Sequence, residues 1–449
     1  MNDKNNNVIS GSFLSSNAGE AGQADAALRI LTHLLQDFPG ATTLRLLGDQ
    51  LHHIEITTPK FTLLLRDPVV LRKLIFGRSP LPLADAYING LIDVEGDLYA
   101  ALGLKQYFQT FNFSLGVRWA LLRDAWRLPA KPKNLAITPF DAGGFSHKHS
   151  KGSDQAAIAF HYDVSNLFYK LWLDKEMVYS CAYFESEEDT LERAQEHKLD
   201  HICRKLRLAP GERLLDVGCG WGAMVCWAAR HYGVRAHGIT LSQKQYEYAQ
   251  ARIAAEGLSD LVTVELRDYR DLEGEAIYDK VSSIGMFEHV GLANLPVYNA
   301  TIKRVLRPGG LFLNHGITHD EDGWQRTVDT EFINRYVFPD GELDTISNIQ
   351  CRMEQTGFEI HDVEALRPHY ALTLRHWVSR LEERREEALE YVSESAYRVW
   401  RLYMAACALE FEAGGTGIYQ ILASKPGVAA PAVPLTRNDI YARRHDTQT

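Results

Sequence analysis

The sequence predicts an α/β fold with a doubly wound, mostly parallel sheet, preceded by a smaller N-terminal α+β domain. From about residue 195, strand patterns alternate with helical patterns, as expected for such a sheet. A glycine-rich turn, "LLDVGCGWG" at 214–222, joins the first of these strands to a helix. Residues 25–105 instead mix helical periods with short alternating strands. At 449 residues the chain is long enough for two domains.

The elements of the α+β part follow from local patterns. "LRILTHLLQDF" has helical periodicity, whereas "HHIEITTP" and "KFTLLLRDP" read as strands. "LPLADAYINGLIDVEGDLYAAL" then predicts a helix, a glycine turn, a strand and a second helix.

The α/β part predicts five strands and three helices in alternation. The strands are "RLLDVGC", "VRAHGITL", "VTVELRD", "YDKVSSIGMF" and "GLFLNHGIT", and the helices are "AMVCWAARHYG", "SQKQYEYAQARIAAEG" and "PVYNATIKRVL". Ligands of such sheets bind beyond the carboxyl ends of the strands, so the residues that follow each strand are the candidates for a site.

Changes in composition and in the helix and strand patterns divide the chain into five segments. They are a disordered lead (1–24), the α+β domain (25–105), a linker (106–155), the larger domain (156–425) and a tail (426–449). The linker stretch 111–133 interleaves basic and aromatic residues: Phe111, Phe113, Arg118, Trp119, Arg123, Trp126, Arg127, Lys131 and Lys133. This composition suits an anionic lipid surface, and it equally suits an interdomain helix that packs its aromatic rings on the larger domain.

Composition excludes several classes of protein. The net charge of −10 disfavours nucleic acid as a partner, and an anionic membrane would require a local basic patch. The six cysteines form no CxxC pair, so neither a metal site nor a disulfide framework is predicted. The polar lead does not read as a signal peptide, and no window is apolar enough to span a membrane. We therefore expect a cytoplasmic protein.

The glycine-rich turn favours one cofactor over another. A dinucleotide site would need an acidic residue at the end of the next strand, which here ends in Ile239, Thr240 and Leu241. The pattern D-x-G-x-G-x-G instead places an acid where it suits the cationic amino acid end of S-adenosylmethionine; its members are Asp216, Gly218, Gly220 and Gly222. With "YDKVSSIGMFEHVG" and "RVLRPGGLFLNH" downstream, the pattern is typical of a class I S-adenosylmethionine-dependent methyltransferase with a Rossmann-like sheet.

Several longer stretches carry a closer resemblance. "MVYSCAYFESEEDTLERAQEHKLDHICRKLRLAPGERLLDVGCGWG", "HGITLSQKQ", "IGMFEHVG", "NHGIT", "RPHYALTLRHW" and "RLYMAACALEF" are similar, in that order, to the cyclopropane-fatty-acyl-phospholipid synthase family and its mycolic acid cyclopropane synthase relatives. The similarity covers about 155–425. The preceding "FTLLLRDPVVLRKLIFGRSPLPLADAYINGLIDVEGDL" resembles the lipid-associated domain of bacterial members.

The resemblance implies transfer of a methylene group from S-adenosylmethionine to the cis double bond of an unsaturated phospholipid acyl chain. Methylation of an alkene leaves a carbocation, so the site must be dry and must hold a base that removes a proton from the added methyl group. A fixed carboxylate could trap the cation, which favours a small bound anion as that base. The family holds a bicarbonate ion, and the matching residues are Glu288, His315, Tyr370, Cys181 and Ile317.

The resemblance also implies the remaining contacts. Tyr179 and Ser180 match positions near the cofactor carboxylate, Thr240, Leu241 and Gln245 match positions around the ribose, and Asp268 and Tyr269 flank the adenine. Helical additions would cover the acyl pocket. The implied partners are unsaturated phospholipids at the inner face of the membrane, contacted peripherally, and a second copy of the chain in a homodimer.

Four alternatives remain at this point. A methyltransferase with a smaller amine or phenol substrate is disfavoured, because the aromatic segments before residue 195 exceed what a minimal methyltransferase needs. A related enzyme could add a methyl branch to the same acyl chain, because both reactions begin with the same cation. A nicotinamide-dependent oxidoreductase is disfavoured by the missing acid after "AHGI". A non-catalytic lipid-binding protein would be expected to lose the cofactor glycines or the anion ligands, and both sets are present.

Overall fold

The chain divides into two compact units. The first lies within residues 1–142 and 393–406, and the second within 143–392 and 407–449. The computed structural model describes residues 18–35, 38, 42–46, 51–53, 60–77, 81–109, 114–132, 149–162, 165–325, 327–339, 341–427 and 433–441. Residues 393–406, expected within the larger domain, group with the first unit, and the helix that contains them continues into the second.

The first unit is an α+β structure built on a four-stranded sheet in the order β2-β1-β3-β4. Strand β1 is antiparallel to β2 and parallel to β3, and β3 is antiparallel to β4. Its elements are α1 (Ala18–Leu35), β1 (Thr42–Leu46), β2 (Leu51–His53), β3 (Phe61–Leu65), α2 (Val69–Gly77), α3 (Leu81–Ile88), β4 (Ile92–Gly96), α4 (Leu98–Gln109) and α5 (Leu115–Trp126). The predicted sequence of helix, glycine turn, strand and helix is present as α3, β4 and α4.

Two boundaries differ from the sequence prediction. Residues 18–24, predicted as disordered lead, form the first turns of α1. The predicted linker contains α5, which begins where the Ser114 side chain accepts a hydrogen bond from the Val117 amide. Helix α5 packs against α1 and α2 through Leu121 and Ala125, both buried. This apolar face explains why the stretch is ordered.

The second unit holds a seven-stranded sheet and most of the helices. Its elements are α6 (Lys151–Tyr162), α7 (Asn166–Trp172), α8 (Leu191–Lys205), β5 (Arg213–Val217), α9 (Ala223–Tyr232), β6 (Arg235–Thr240), α10 (Gln243–Ala255), β7 (Val262–Leu266), β8 (Tyr278–Ile284), α11 (Phe287–Val290), α12 (Leu295–Val305), β9 (Leu306–His319), α13 (Val328–Tyr336), α14 (Ile346–Thr356), β10 (Glu359–Ala365), α15 (Arg367–Glu383), α16 (Arg385–Tyr391), β11 (Thr416–Ser424) and α18 (Asn438–Tyr441). Helix α17 (Glu394–Ala413) belongs to the first unit up to Ala406 and to the second from Cys407.

The order of this sheet is β10-β11-β9-β8-β5-β6-β7. Strand β11 is antiparallel to both of its neighbours, and the other strands are parallel to one another. This confirms the predicted doubly wound, mostly parallel sheet. One face packs against α8, α9 and α10, and the opposite face packs against α12 and α14. The carboxyl ends of β5, β6 and β8 therefore meet at one edge, which is where the sequence analysis looks for a site.

The tail is partly folded. Helix α18 packs beside α8, with Ile440 buried and Asp439 in an ion pair with Arg207 at 2.7 Å. Residues 428–432 and 442–449 lie outside the described residues.

Candidate active site

The turn between β5 and α9 keeps its backbone close to the end of β6. Gly218, Gly220 and Gly222 have φ angles of 78°, 54° and 84°, in the left-handed region that a side chain disfavours. The amides of Gly218 and Cys219 both donate to the carbonyl of Ile239. A Cβ atom placed on Gly220 would meet no atom within 4 Å, so this part of the turn borders open space.

That space is a cleft of about 1070 Å³, part of it open to solvent, at the carboxyl ends of β5, β6 and β8. All the predicted cofactor residues except one line it: Tyr179, Ser180, Asp216, Gly218, Gly220, Thr240, Leu241, Gln245, Asp268 and Tyr269. The exception is Gly222, which caps the N-terminus of α9 and faces Ala249. The structure thus brings together residues that are far apart in the sequence.

At one end of the cleft a buried acid lies near a buried base. Asp216 accepts a hydrogen bond from the Ser282 hydroxyl at 2.7 Å, and burial raises the pKa of Asp216 to about 6. Lys198 of α8 donates to the Ser180 hydroxyl at 2.8 Å, and burial lowers the pKa of Lys198 to about 8. Opposite charges at this end suit a zwitterionic amino acid group. Lys198 was not selected from the sequence, because it reads as one polar residue of an amphipathic helix.

The middle of the cleft carries neutral hydrogen-bonding groups where a dinucleotide site would carry an acid. The Thr240 hydroxyl donates to Gln245 Oε1 at 2.8 Å, and both side chains are buried. Ser242 caps α10 by accepting from the Gln245 amide. This capping fixes Gln245 at the start of the helix, so its amide group borders the cleft.

The far end of the cleft is closed by charged groups. Asp268 accepts hydrogen bonds from the amide and the side chain of Arg270, and these lower its pKa although burial raises it. Arg270 also binds Asp154 of α6 at 2.8 Å. Both Arg270 and Asp154 line the cleft, although neither was predicted from the sequence. Tyr269 is buried beside them.

Glu288 and Ile317, two of the predicted anion ligands, are joined directly. Glu288 lies on α11, just beyond the end of β8, and its Oε1 accepts from the Ile317 amide at 2.8 Å. The other carboxyl oxygen, Oε2, is buried without a hydrogen-bond partner among the described residues. Burial raises the pKa of Glu288 to about 7, so about half of the molecules carry a proton on this carboxyl at neutral pH.

His315 lies inside β9, not at its end as predicted, because β9 continues to His319. It is nevertheless level with the end of β8, since it pairs in register with Ile284. Its side chain is buried, and neither ring nitrogen has a hydrogen-bond partner among the described residues. Burial, together with the nearby Lys198 and Lys205, lowers the pKa of His315 well below its usual value, so the imidazole is neutral.

Tyr370 and Cys181 complete the predicted set. Burial raises the pKa of Tyr370 well above its usual value, and the nearby Tyr179, Cys181 and Glu288 add to this shift. Burial also raises the pKa of Cys181, whose thiol donates weakly to the Ala182 carbonyl at 3.3 Å. A thiol held protonated in this way is a poor nucleophile, so the structure does not favour a nucleophilic role for Cys181. None of the five predicted anion ligands lines the cofactor cleft itself.

Aromatic rings pack around Tyr370, one of the predicted anion ligands. Tyr179 contacts Trp172 and Trp377, with ring centroids 5.4 and 5.1 Å apart, and Trp377 contacts Tyr370 at 6.0 Å. Trp172 and Trp377 are fully buried. The surroundings are therefore dry and apolar, with polar groups concentrated on a few side chains.

Comparison with known proteins places these features in one family. Residues 149–421 match the mycolic acid cyclopropane synthetase family. This chain belongs to that family. A probable fatty acid methyltransferase of Pseudomonas putida is 43% identical over 389 residues, which are 86% of this chain and 92% of the relative. The cyclopropane-fatty-acyl-phospholipid synthase of Escherichia coli is 40% identical over 268 residues, 59% of this chain and 66% of that protein.

Solved cyclopropane synthase structures share the fold of the second unit. The mycolic acid cyclopropane synthase CmaA1, complexed with S-adenosylhomocysteine and CTAB, is 33% identical with a TM-score of 0.57 and covers 60% of this chain and 98% of its own. MmaA2 of Mycobacterium tuberculosis is 34% identical, with the same TM-score and coverage. These matches confirm the predicted family, fold class and enzyme class. The chain is an S-adenosylmethionine-dependent methyltransferase of the cyclopropane synthase type.

One further polar residue of this enzyme lies beside His315. Gln420 of β11 pairs in register with His315, and Glu364 of β10 pairs with Gln420, so the three share one face of the sheet. Gln420 is fully buried, and neither polar atom of its side chain has a hydrogen-bond partner among the described residues. Glu364 instead binds His201 and Lys205 of α8, at 2.8 and 2.5 Å. A glutamine within the otherwise apolar run "YQILAS" is the sequence signal that could have identified it.

Two absences hold for the part of the chain that the structure describes. It contains no cluster of histidine, cysteine or acidic side chains that could hold a metal ion. In the same residues, every helix is too short or too polar to cross a membrane.

Proposed function

We propose that this methyltransferase converts cis double bonds in the unsaturated acyl chains of membrane phospholipids into cyclopropane rings. The π electrons of the alkene form a bond to the methyl carbon of S-adenosylmethionine, and the C–S bond breaks to leave S-adenosylhomocysteine. Loss of a proton from the added methyl group then supplies the electron pair of the second ring bond. The observation that carries this proposal is the buried set of unpartnered polar atoms on Glu288 and His315.

The cleft residues would hold the two ends of S-adenosylmethionine. Lys198 and Ser180 present donors for its carboxylate, and Asp216 presents an acceptor for its ammonium group. Thr240 and Gln245 are placed for the ribose hydroxyls, and Asp268 lies where the adenine would bind. Fixing both ends of the cofactor fixes the direction in which the methyl group points, and alignment with a weakly nucleophilic alkene depends on that direction.

The polar atoms near Glu288 fit a small oxyanion. A carboxylate would repel such an anion, but the pKa of about 7 lets Glu288 donate through a protonated Oε2. Neutral His315 can donate through one ring nitrogen, and Tyr370 keeps its phenol proton because burial raises its pKa. Bicarbonate held there would supply the base for the methyl proton. The chain's own residues would orient that base and keep water from the carbocation.

The substrate class implies contact with a bilayer. The aromatic rings of Trp172, Tyr179 and Trp377 suit an apolar chain and can stabilise a carbocation through their faces. Because the double bonds of phospholipids lie within a membrane, we include peripheral association with its inner face in this proposal.

A methyl-branching reaction is the second candidate, and the names of two relatives favour it. Besides the Pseudomonas putida relative, a probable fatty acid methyltransferase of Mycobacterium tuberculosis is 48% identical over 277 residues, 62% of this chain and 64% of the relative. Both reactions share the first step and differ in the fate of the carbocation.

Incubation with monounsaturated phospholipid and trideuteromethyl S-adenosylmethionine separates the two. Ring closure leaves two of the three deuterium atoms in a product that survives ozonolysis, whereas a methyl-branched product that has lost a proton is an alkene and is cleaved. We expect the ring, formed faster when bicarbonate is added. A branched product would support the second candidate, and absence of transfer would contradict both.

A further inference from the structure

Helix α5 of the first unit is apolar on two separate faces, about 120° apart around its axis. Its buried face carries Leu121 and Ala125. Leu115, Trp119 and Trp126 lie within about 40° of one another on the other face. They are 75%, 73% and 69% exposed.

This outward stripe of Leu115, Trp119 and Trp126 extends onto α2. Phe76 is 41% exposed and contacts Trp126 edge to face, with ring centroids 5.9 Å apart. The Arg72 guanidinium lies over both rings, at 5.3 and 5.2 Å, and donates to the carbonyls of Ala125, Trp126 and Leu128. The exposed rings are therefore held in place, and we call the four apolar residues with Arg72 the α5 patch.

Positive charge surrounds the α5 patch. Arg118 and Arg123 flank the outward stripe of the helix, and Arg127 and Lys131 follow it; all four are exposed. Asp124, the single acid of residues 114–132, is buried; it pairs with Arg29 at 3.1 Å, Arg127 at 3.3 Å and Arg123 at 3.5 Å, so one buried carboxylate faces three arginines. No exposed acid of that stretch opposes the arginines, although the whole chain carries a net charge of −10.

We infer that the α5 patch inserts into the interface of an anionic phospholipid bilayer. Exposed tryptophans set among arginines match the headgroup level of a membrane, where the ring is buried and the guanidinium meets phosphate. Phe111, Phe113 and Lys133 of the same stretch lie outside the described residues.

The charge pattern favours a membrane over a second copy of the chain. A twofold interface through the α5 patch would bring like-charged arginine rows together, which costs free energy. An anionic surface instead attracts the patch while repelling the acidic remainder of the chain, so it would also select the orientation in which the protein docks.

Vesicle binding tests the inference without requiring turnover. The probe is phosphatidylcholine vesicles with and without phosphatidylglycerol, and the variant is Trp119→Ser with Trp126→Ser. We expect the wild type to sediment with the anionic vesicles and the double variant to partition at least about tenfold more weakly. Its matched control, Leu435→Ser, removes an exposed apolar side chain of the second unit and should bind like the wild type.

The contribution of the positive charges and the depth to which the tryptophan rings insert are tested separately. Arg118→Gln with Arg123→Gln should weaken binding about fivefold per arginine at low salt and flatten its salt dependence, whereas Arg384→Gln with Arg385→Gln in the second unit should not. The difference in tryptophan fluorescence between the wild type and the double variant reports on Trp119 and Trp126. Bromine-labelled acyl chains should quench that part of the fluorescence. Equal binding of all variants, or equal effects of the control pair, would overturn the inference.

Activity measurements distinguish this inference from the proposed function, on which it rests only for the identity of the substrate. The double tryptophan variant should match the wild type on monounsaturated phospholipid dispersed in zwitterionic micelles and lose activity on anionic vesicles. Wild type that binds vesicles but transfers no methyl group would contradict the proposed function alone. A variant that turns a dimer into a monomer yet binds vesicles normally would show the patch to be a subunit interface and overturn the inference.

Discussion

Replacing Glu288 with glutamine should make the protein more stable and less active at once. The Glu288 carboxyl is buried and accepts one hydrogen bond, from the Ile317 amide. Glutamine has the shape of the protonated acid, keeps an acceptor for that amide and never carries a charge. The substitution therefore isolates the free energy of ionising a carboxyl at this position.

The pKa of Glu288 gives the magnitude. It rises from 4.5, its ordinary value, to about 7 in the folded protein because of burial. Between these values the folded state holds the proton more tightly than the unfolded state, so stability from this group is lost as the pH rises. Relative to low pH, ionisation of Glu288 should lower the free energy of unfolding of the wild type by about 1 kcal/mol at pH 5 and by about 3 kcal/mol at pH 8. The Glu288→Gln variant should show neither loss.

Urea unfolding at both pH values measures the difference. We expect the Glu288→Gln variant to exceed the wild type in free energy of unfolding by about 2 kcal/mol more at pH 8 than at pH 5. S-adenosylhomocysteine should bind to the variant as to the wild type, while ring formation falls about a hundredfold or more, because an amide cannot exchange a proton with the bound anion as a carboxyl with a pKa of about 7 can. The same stability difference at both pH values would refute the buried ionisation, and unchanged turnover would remove Glu288 from the mechanism.

Three further predictions concern the cleft, the β11 row and the glycine turn. Asp216→Asn and Lys198→Met should each weaken S-adenosylhomocysteine binding about tenfold or more by calorimetry, because each removes one charge from the amino acid end; unchanged affinity would argue against that placement. Gln420→Leu should slow ring formation about tenfold with the cofactor affinity unchanged, since it removes the polar neighbour of His315, and an unaltered kcat would exclude this role. In urea unfolding, Gly222→Ala should lower the free energy of unfolding by about 1–2 kcal/mol more than Gly211→Ala does, because its new methyl group is overpacked. Both glycines have φ near 84°, but only at position 222 does the new Cβ approach another residue, Ala249 at 3.2 Å. Equal losses would assign the effect to the backbone alone.

Local patterns predicted the parts of the site that lie close to the glycine turn. Asp216, Thr240 and Gln245 follow consecutive strands, and strands of a parallel sheet end at a common edge, so their convergence on one cleft could be anticipated. Glu288 could be placed for the same reason. The bounds of β9 could not, because "RPGG" reads as a turn, whereas Leu306 before it already pairs with Tyr278 of β8 and the four residues form an irregularity within the strand.

Other features depend on long-range packing that one sequence does not encode locally. Lys198 faces Asp216 because α8 packs across the sheet, and Gln420 lies beside His315 because β11 inserts between β9 and β10. The sequence of α5 left two interpretations open, since a tryptophan on an amphipathic helix can face either a protein core or a lipid. Only the three-dimensional arrangement of α1 and α2 decides which face of α5 is covered.

The insertion of β11 also has a consequence for how the protein is made. Strand β9 can pair with β8 as soon as both have been synthesised, but nine residues of its other edge, 311–319, wait for residues 416–424. Until they arrive, the growing chain exposes an unpaired strand edge that invites aggregation, and His315 lacks its neighbour from β11. Folding of the catalytic sheet is therefore completed by its last strand. A chain truncated before residue 416 would leave this edge of β9 unpaired and would lack Gln420 beside His315.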